Sequence, residues 1–367
     1  MREREKKTLL ELTGLPTAAG REDRVIEWVE TWAKRRRGVT LKRDTYGNLT
    51  IQRKGARSKS PIYFTAHLDH PAFVVTDVLD VGKHVQAEFR GGVHDDYFVG
   101  TRVMLDLPGK KQVRGTVVSL DRKRSAELPK LVTIEFDRIA PCVAGDVVTW
   151  ALPKAKISKG RLHAPACDDL AAVAAAVCAY DKLLKQPKGL GDVRLLFTRA
   201  EEVGFVGAIA AAKAGTMPKG STLVCLENSK SMAESPIGGG PIIRVGDRIS
   251  IFDPDLTARL NAVAEGLAKR DKSFRFQRKL MPGGACEATA FRALGYLSSC
   301  ICLPLGNYHN MDEDEKAIAP ESIAVDDYYQ MIDLLAEVGR ELDQTRAQED
   351  LVERLERLLE RGRAMLD

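Results

Sequence analysis

The sequence predicts an α/β fold with a doubly wound mixed sheet, helices on both faces, and a small β-barrel or sandwich inserted into it. Three observations carry that expectation. Continuous apolar runs such as PIYFTAH, VRLLFT and STLVCLE, the pattern of strands buried on both faces, alternate with helical runs. Between Val74 and Leu152 the character changes to short alternating segments (HVQAEFRGG, RVMLDLPGK, QVRGTVVSL, LVTIEFD, GDVVTWAL) broken by Gly, Pro and Asp. After KISKGRLHAPACDD the helical pattern resumes, so the β-rich stretch divides one domain. The expected organisation is a main domain in two parts, 1–73 and 159–344, an insert at 74–158, and a separate C-terminal helix at 345–367.

Taken in order, a short helix around Lys7 to Thr13 leads through the loop GLPTAAG to a second helix from Glu22 to Arg35. Its apolar face is Val25, Ile26, Trp28, Val29 and Trp32. LKRDTYG and NLTIQRKG read as paired strands, and PIYFTAH as a buried one. Past the insert, DLAAVAAAVCAYDKLLK is a helix whose alanines permit close packing on a sheet. VRLLFT and STLVCLE enclose the helix VGAIAAAKAG. LTARLNAVAEGLAKR is helical, SFRFQRKL and SSCICLPL read as strands, and SIAVDDYYQMIDLLAEVGREL as one long amphipathic helix. In the tail, Leu351, Leu355, Leu358, Leu359 and Leu366 recur among charges, which suits a helix docking on the body or on another subunit.

Composition narrows the function. A chain of 367 residues, 44% hydrophobic and 29% charged, is that of a globular protein with a sizeable core. No apolar run is long enough for a bilayer, and MREREKKTLLELTGL lacks the apolar centre of a signal peptide, so no membrane partner and a cytoplasmic location are expected. The net charge of +5 is scattered, apart from KRRR at 34–37, and does not call for nucleic acid. Seven cysteines, none in a CxxC pair, suit reduced core thiols and argue against a cysteine-bound metal.

Open α/β sheets build their sites at the carboxyl ends of strands, where loops converge on a crevice. Those ends here carry His67 and Asp69, Glu201 and Glu202, Glu227, and His309. Asp168 and Asp169 stand at a helix start, where Asp169 reads as an N-cap. Each of these has an ordinary explanation alone: a dipole-favoured helix acid, a hydrogen-bonded core histidine, a surface glutamate. Together at one sheet edge they point to metal. Two histidines with several carboxylates and no cysteine suit Zn²⁺, with Co²⁺ or Mn²⁺ as substitutes, and can serve two ions sharing an acid. Of the adjacent glutamates, one can then bind metal while the other moves a proton.

HLD (67–69), CDDLAAV (167–173), EEVGFVGA (201–208), CLEN (225–228), GPIIRVGD (240–247), GGACEATAF (283–291) and YHN (308–310) occur in that order. Together they resemble the co-catalytic zinc aminopeptidases of the TET-like glutamyl aminopeptidase family, within the zinc-exopeptidase clan. The resemblance implies a metal-dependent aminopeptidase acting on peptides, with homo-oligomeric assembly. It implies one metal held by His67, Asp168 and Glu227, and a second by Asp168, Glu202 and His309. Glu201 would be the general base and Asp69 would orient His67. The resemblance also implies a cis bond between Asp168 and Asp169. The chain departs from the family at His70, usually Glu; Leu170, usually Arg; Glu227, usually Asp; and GGACEA, usually GGTDA-like. On the substrate side, His70 could face the site, Glu287 could pair with the free α-amine, and Arg244 could meet substrate. Two alternatives stand beside this reading: a di-zinc carboxypeptidase or amidohydrolase of the same clan, and a non-catalytic peptide-binding scaffold. The former usually carries a lid with helices, for which 74–152 shows little helical period. The latter usually lacks a ligand or base, and none is missing.

Overall fold

The computed structural model describes residues 2–366 apart from 108, 110 and 187–189. It begins with α1 (Arg2–Leu12), α2 (Asp23–Lys34), β1 (Val39–Arg43), β2 (Leu49–Arg53) and β3 (Ile62–His67). A strand-rich stretch follows: β4 (Ala72–Leu79), β5 (His84–Arg90), β6 (Arg102–Asp106), β7 (Gln112–Leu120), β8 (Lys130–Phe136) and β9 (Val147–Trp150). Next come β10 (Lys156–Ser158), β11 (Arg161–Ala164), α3 (Leu170–Lys185), β12 (Val193–Thr198), α4 (Val206–Ala214), β13 (Thr222–Lys230) and β14 (Ile242–Gly246). The remainder is α5 (Pro254–Arg270), β15 (Gln277–Leu280), α6 (Glu287–Ala293), β16 (Leu297–Leu305), β17 (Met311–Asp312), β18 (Ala317–Ile318), β19 (Glu321–Ala324), α7 (Val325–Glu341) and α8 (Ala347–Gly362).

The main sheet has eight strands in the order β1-β2-β12-β3-β13-β16-β14-β15. Its four central strands, β12, β3, β13 and β16, run parallel, so their carboxyl ends share one edge. Both faces are covered, which is why these strands lack an apolar-polar alternation. Phe64 and Leu195 face the core built with α1, α2, α3, α5 and α7; their neighbours Tyr63 and Leu196 face the core shared with α4 and α6. The small residues of α3 let it sit close: Ala171, Ala172, Ala174, Ala175, Ala176 and Ala179 are all fully buried. At Gly339 of α7 a Cβ would lie 2.7 Å from the end of the Leu183 side chain of α3, which shows how closely this helix pair packs.

The insert closes into a six-stranded barrel in the order β4-β5-β8-β7-β6-β9, which decides between the barrel and sandwich readings. Alternation along β5 sends Val85, Ala87 and Phe89 inward. At the barrel's centre Phe73, Phe89, Phe98 and Trp150 pack ring against ring, with centroids 4.7–6.0 Å apart.

Two expected elements differ. Glu321–Ala324 is a strand paired antiparallel with β11, and the long helix begins only at Val325, because this apolar run is needed to continue a three-stranded sheet. Of SFRFQRKL only Gln277–Leu280 pairs with the main sheet. All seven cysteines are free and buried. Among the described residues no helix is long and apolar enough to cross a membrane.

Candidate functional site

The parallel strands deliver their chemistry to one place. His67 ends β3; Glu201 and Glu202 follow β12; Glu227 lies late in β13; His309 sits in the turn after β16; and Asp168 precedes α3. Asp168 is central. Its Oδ1 lies 3.4 Å from His67 Nε2 and its Oδ2 lies 3.7 Å from His309 Nε2. Glu201 Oε2 is 3.9 Å from His67 Nε2, and Glu202 Oε2 is 3.4 Å from His309 Nε2. Donor atoms fall into overlapping groups within 4.8 Å: His67, Asp168, Asp169 and Glu227; His67, Glu201 and Glu202; Asp168, Glu202 and His309.

A second set of carboxylates holds these groups in place. Asp69 is fully buried, and its two oxygens accept from the backbone N–H groups of Glu201 and Glu202, each at 3.0 Å. Its carbonyl accepts from His67 Nδ1 at 3.2 Å, while its Oδ1 lies 3.5 Å from the same nitrogen. Burial alone would raise this carboxyl, but His67 and the two N–H groups hold it below its ordinary range. Asp169 was expected to cap α3; instead its oxygens accept from the His67 N–H at 3.2 Å and from Asn228 Nδ2 at 2.9 Å, tying β3 to β13. The Asp168–Asp169 peptide is cis. On the other side of the pair, the glycine of VGA is required: a Cβ at Gly207 would come within 2.2 Å of the Arg199 carbonyl oxygen.

Sequence reasoning missed Glu321. It is fully buried at the start of β19, where Oε2 accepts from the N–H groups of Cys167 (2.7 Å) and Asp168 (3.0 Å) and Oε1 from that of His309 (2.9 Å). One side chain thus fixes the backbone of both loops that supply Asp168 and His309. Its only sequence signal is an acid opening an apolar run, SIAV, easily taken for a helix start. The barrel contribution was also hidden: the Gly92 carbonyl accepts from His309 Nδ1 at 2.6 Å, orienting that ring. His94, in contrast, is exposed.

His70 is buried, with both ring nitrogens engaged. Its Nδ1 donates to the Asp168 carbonyl, and its Nε2 lies 2.9 Å from Asn310 Oδ1, whose Nδ2 donates to the Pro165 carbonyl. His70 and Asn310 form one end of a cavity of about 550 Å³ between barrel and main domain. Glu287, the first residue of α6, is 2% exposed and has one carboxylate oxygen without a partner. Burial pushes its carboxyl up to about 7. Arg244, 3% exposed, donates to Ser229 Oγ at 3.1 Å and lines a small recess with Glu227 and Tyr308. The Tyr308 ring stacks on His309 with centroids 3.8 Å apart.

The charge of this region is unbalanced. Burial first, and then repulsion from neighbouring acids such as Asp168, push the carboxyls of Glu201, Glu202 and Glu227 well above their ordinary values against the pull of His67. Among the described residues, no Lys or Arg forms an ion pair with these three, with Asp168 or with Glu287. Asp168 Oδ1 and Glu202 Oε1 are buried without a hydrogen-bond donor. Buried acids in this state are satisfied by protons or by cations, and the oxygen and imidazole donors fit divalent zinc, cobalt or manganese.

Residues 47–334 match the family described as M42 glutamyl aminopeptidase. Among solved structures, an aminopeptidase of the archaeon Desulfurococcus kamchatkensis superposes with a TM-score of 0.74 at 21% identity, covering 93% of this chain and 95% of that one. The TET1 peptidase of Pyrococcus horikoshii, which can assemble into a tetrahedron or a large octahedral shell, gives 0.74 at 21% identity over 91% and 99% of the two chains. A TET aminopeptidase from a marine sediment thaumarchaeote gives 0.72 at 20% identity over 92% and 97%.

Proposed function

This chain belongs to the M42 glutamyl aminopeptidase family and is an exopeptidase, and from that premise we propose that it removes N-terminal residues from peptides using a pair of divalent metal ions, with zinc the best fit. One observation carries the reading: Asp168 presents one oxygen to each of two imidazoles, and each imidazole has a further carboxylate beside it. His67, Asp168 and Glu227 would hold one ion, and Asp168, Glu202 and His309 the other. Bound there, the ions would supply Lewis acidity to a peptide carbonyl and lower the pKa of water.

The chain's own residues then have separate duties. Glu201 takes the proton of the attacking water and returns it to the departing amine. Its backbone and that of Glu202 are clamped by Asp69, so the two side chains diverge from a fixed peptide. Glu287, with its partnerless oxygen, receives the ammonium group of the substrate's N-terminus, which replaces a solvation shell lost on binding. Arg244 and Tyr308 border the recess next to Glu227, where the first side chain of the peptide would sit. His70 holds the Asp168 backbone against the His309 loop rather than touching substrate.

In this reading the catalytic domain comprises 1–73 and 159–344, the insert 74–158, and the C-terminal helix 345–367. The protein works in the cytoplasm and as a homo-oligomer, the latter by analogy with the TET1 peptidase, which can assemble into a tetrahedron. The test is hydrolysis of a panel of aminoacyl-amides and of N-acetylated controls by the zinc-loaded protein, beside Glu201→Gln. Turnover of free-amine substrates by the wild type alone is the expected outcome. Equal turnover by both proteins would remove Glu201 as base, and preference for blocked N-termini would remove the aminopeptidase assignment.

A further inference from the structure

Helix α8 lies beyond residue 334, where the family match ends, and takes no part in the site. It comes beside α5. Its apolar residues nevertheless face water: Leu351 and Val352 are 46% exposed, Leu355 54%, Leu358 53% and Leu359 58%. The stripe continues past the helix into Met365 and Leu366, exposed by 88% and 78%. A helix of 16 residues is marginal in water when its apolar face is left largely exposed. A contiguous exposed stripe of this kind marks an interaction surface.

We propose that α8 pairs side by side and in parallel, about a two-fold axis, with α8 of a second copy of this chain. The charges bordering the stripe identify the occupant. At 3.6 residues per turn, Arg354 and Arg361 run along one border with Arg357 behind them, while Glu349 and Glu356 run along the other. Asp350 and Arg363, near the two ends, are the exceptions. A parallel two-fold pair sets the basic border of one helix against the acidic border of its mate, in both directions. An antiparallel pair would oppose arginine to arginine. Parallel helix dipoles work against the arrangement only weakly at an exposed, solvated site. A membrane surface suits the helix less, because only one border of the stripe is basic and the acidic one, with Glu349 and Glu356 backed by Glu353 and Glu360, would be carried down onto anionic lipid with it. This surface is independent of the catalytic reading, and activity serves as the control for folding.

All seven native cysteines are buried, so a new surface cysteine reports on its own neighbours. In a parallel pair residue 355, midway between the two borders, meets its own copy across the axis, whereas residue 360 points away. Full-length, metal-loaded Leu355→Cys and Glu360→Cys proteins are incubated with oxidised glutathione, which accepts the two electrons and two protons of each disulfide formed. A covalent dimer through Leu355→Cys and none through Glu360→Cys is expected. Association measured by sedimentation should weaken roughly tenfold or more in Arg354→Glu/Arg361→Glu. Adding Glu349→Arg/Glu356→Arg to the same chain should restore it, since the borders are then exchanged rather than made alike. Absence of the Leu355→Cys dimer, failure of the fourfold exchange to restore association, or sedimentation of the wild type with phosphatidylserine vesicles would each overturn the proposal. Aminoacyl-amide turnover should be equal in all of these proteins.

Discussion

The barrel interior and the carboxyl edge of the main sheet are both buried, yet they are completed in opposite ways. In the barrel, Phe73, Phe89, Phe98 and Trp150 supply each other's contacts, and the strands close so that no edge is left to satisfy. At the sheet edge the protein gathers Asp168, Glu201, Glu202, Glu227 and Glu287 with two imidazoles and provides no lysine or arginine partner among the described residues. One region is complete in what it contains, and the other leaves its acids without a cationic side-chain partner among the described residues. The contrast recurs within the edge itself. Asp69, Asp169 and Glu321 spend their oxygens on N–H groups, while Asp168 and Glu202 each keep an oxygen with no donor. Burial and similar chemistry therefore separate into a scaffold set and a working set.

If that division is real, changes in the two regions must move different observables. Glu201→Gln preserves shape and removes the base, so kcat should fall by roughly 10²–10⁴-fold. Its zinc content, by atomic absorption, and its melting temperature should stay at wild-type levels. Retained turnover would dissolve the working set. Phe89→Ala should do the reverse: a loss of about 3–5 kcal/mol in stability by denaturant titration, with two ions still bound and kcat unchanged per folded molecule. Phe89 is close in sequence to Gly92, whose carbonyl orients His309, so the experiment is demanding. A parallel fall in metal content would show that the barrel interior and the sheet edge are one mechanical unit.

Which residues could be read beforehand follows from the same physics. His67, Glu201, Glu227 and His309 each terminate or follow a continuous apolar run, and such runs are conspicuous because the central strands are covered on both faces. Their convergence follows from parallel pairing, which brings carboxyl ends to one edge. Asp169 misled because an acid before LAAV has the local signature of a cap, while its bonds to β3 and β13 are decided by tertiary contact. Glu321 was invisible for a similar reason: SIAV preceding DDYY carries helical spacing, and only the pairing of β19 with β11 makes it strand. The reach of the barrel to His309 rests on a main-chain carbonyl, which no side-chain pattern can report.

Glu321 sharpens the division because it belongs to the scaffold set yet touches both ligand loops. In Glu321→Gln, one acceptor oxygen becomes an amide that cannot serve all three N–H groups. Zinc affinity, measured by competition with a chromophoric chelator, should drop by about 10–100-fold. With zinc in excess, kcat should return close to the wild-type value, because no reacting group has changed. A kcat that stays low under saturating zinc would transfer Glu321 to the working set.

The smallest expected effect is a difference of melting temperatures. Without metal, the carboxyls of Glu201, Glu202 and Glu227 are held well above their ordinary values and Glu287 at about 7, so the folded state keeps protons that the unfolded chain gives up near pH 4.5. Wherever the folded state binds more protons, stability falls as pH rises. For Glu287 that window runs from about 4.5 to about 7, and for the other three it extends upward from the same starting point. His309, lowered to about 4 by burial, and His70, also lowered by burial, contribute the opposite slope below pH 6.5, two groups against several. Chelated protein should therefore melt lower at pH 8 than at pH 5. Zinc-loaded protein escapes the penalty because the ions replace the protons, and their binding adds stability through mass action. The gap between the two melting temperatures should widen by a few degrees from pH 5 to pH 8, read by calorimetry in matched buffers. A gap that narrows would mean that the acidic edge is already satisfied without cations, and the contrast with the barrel would disappear.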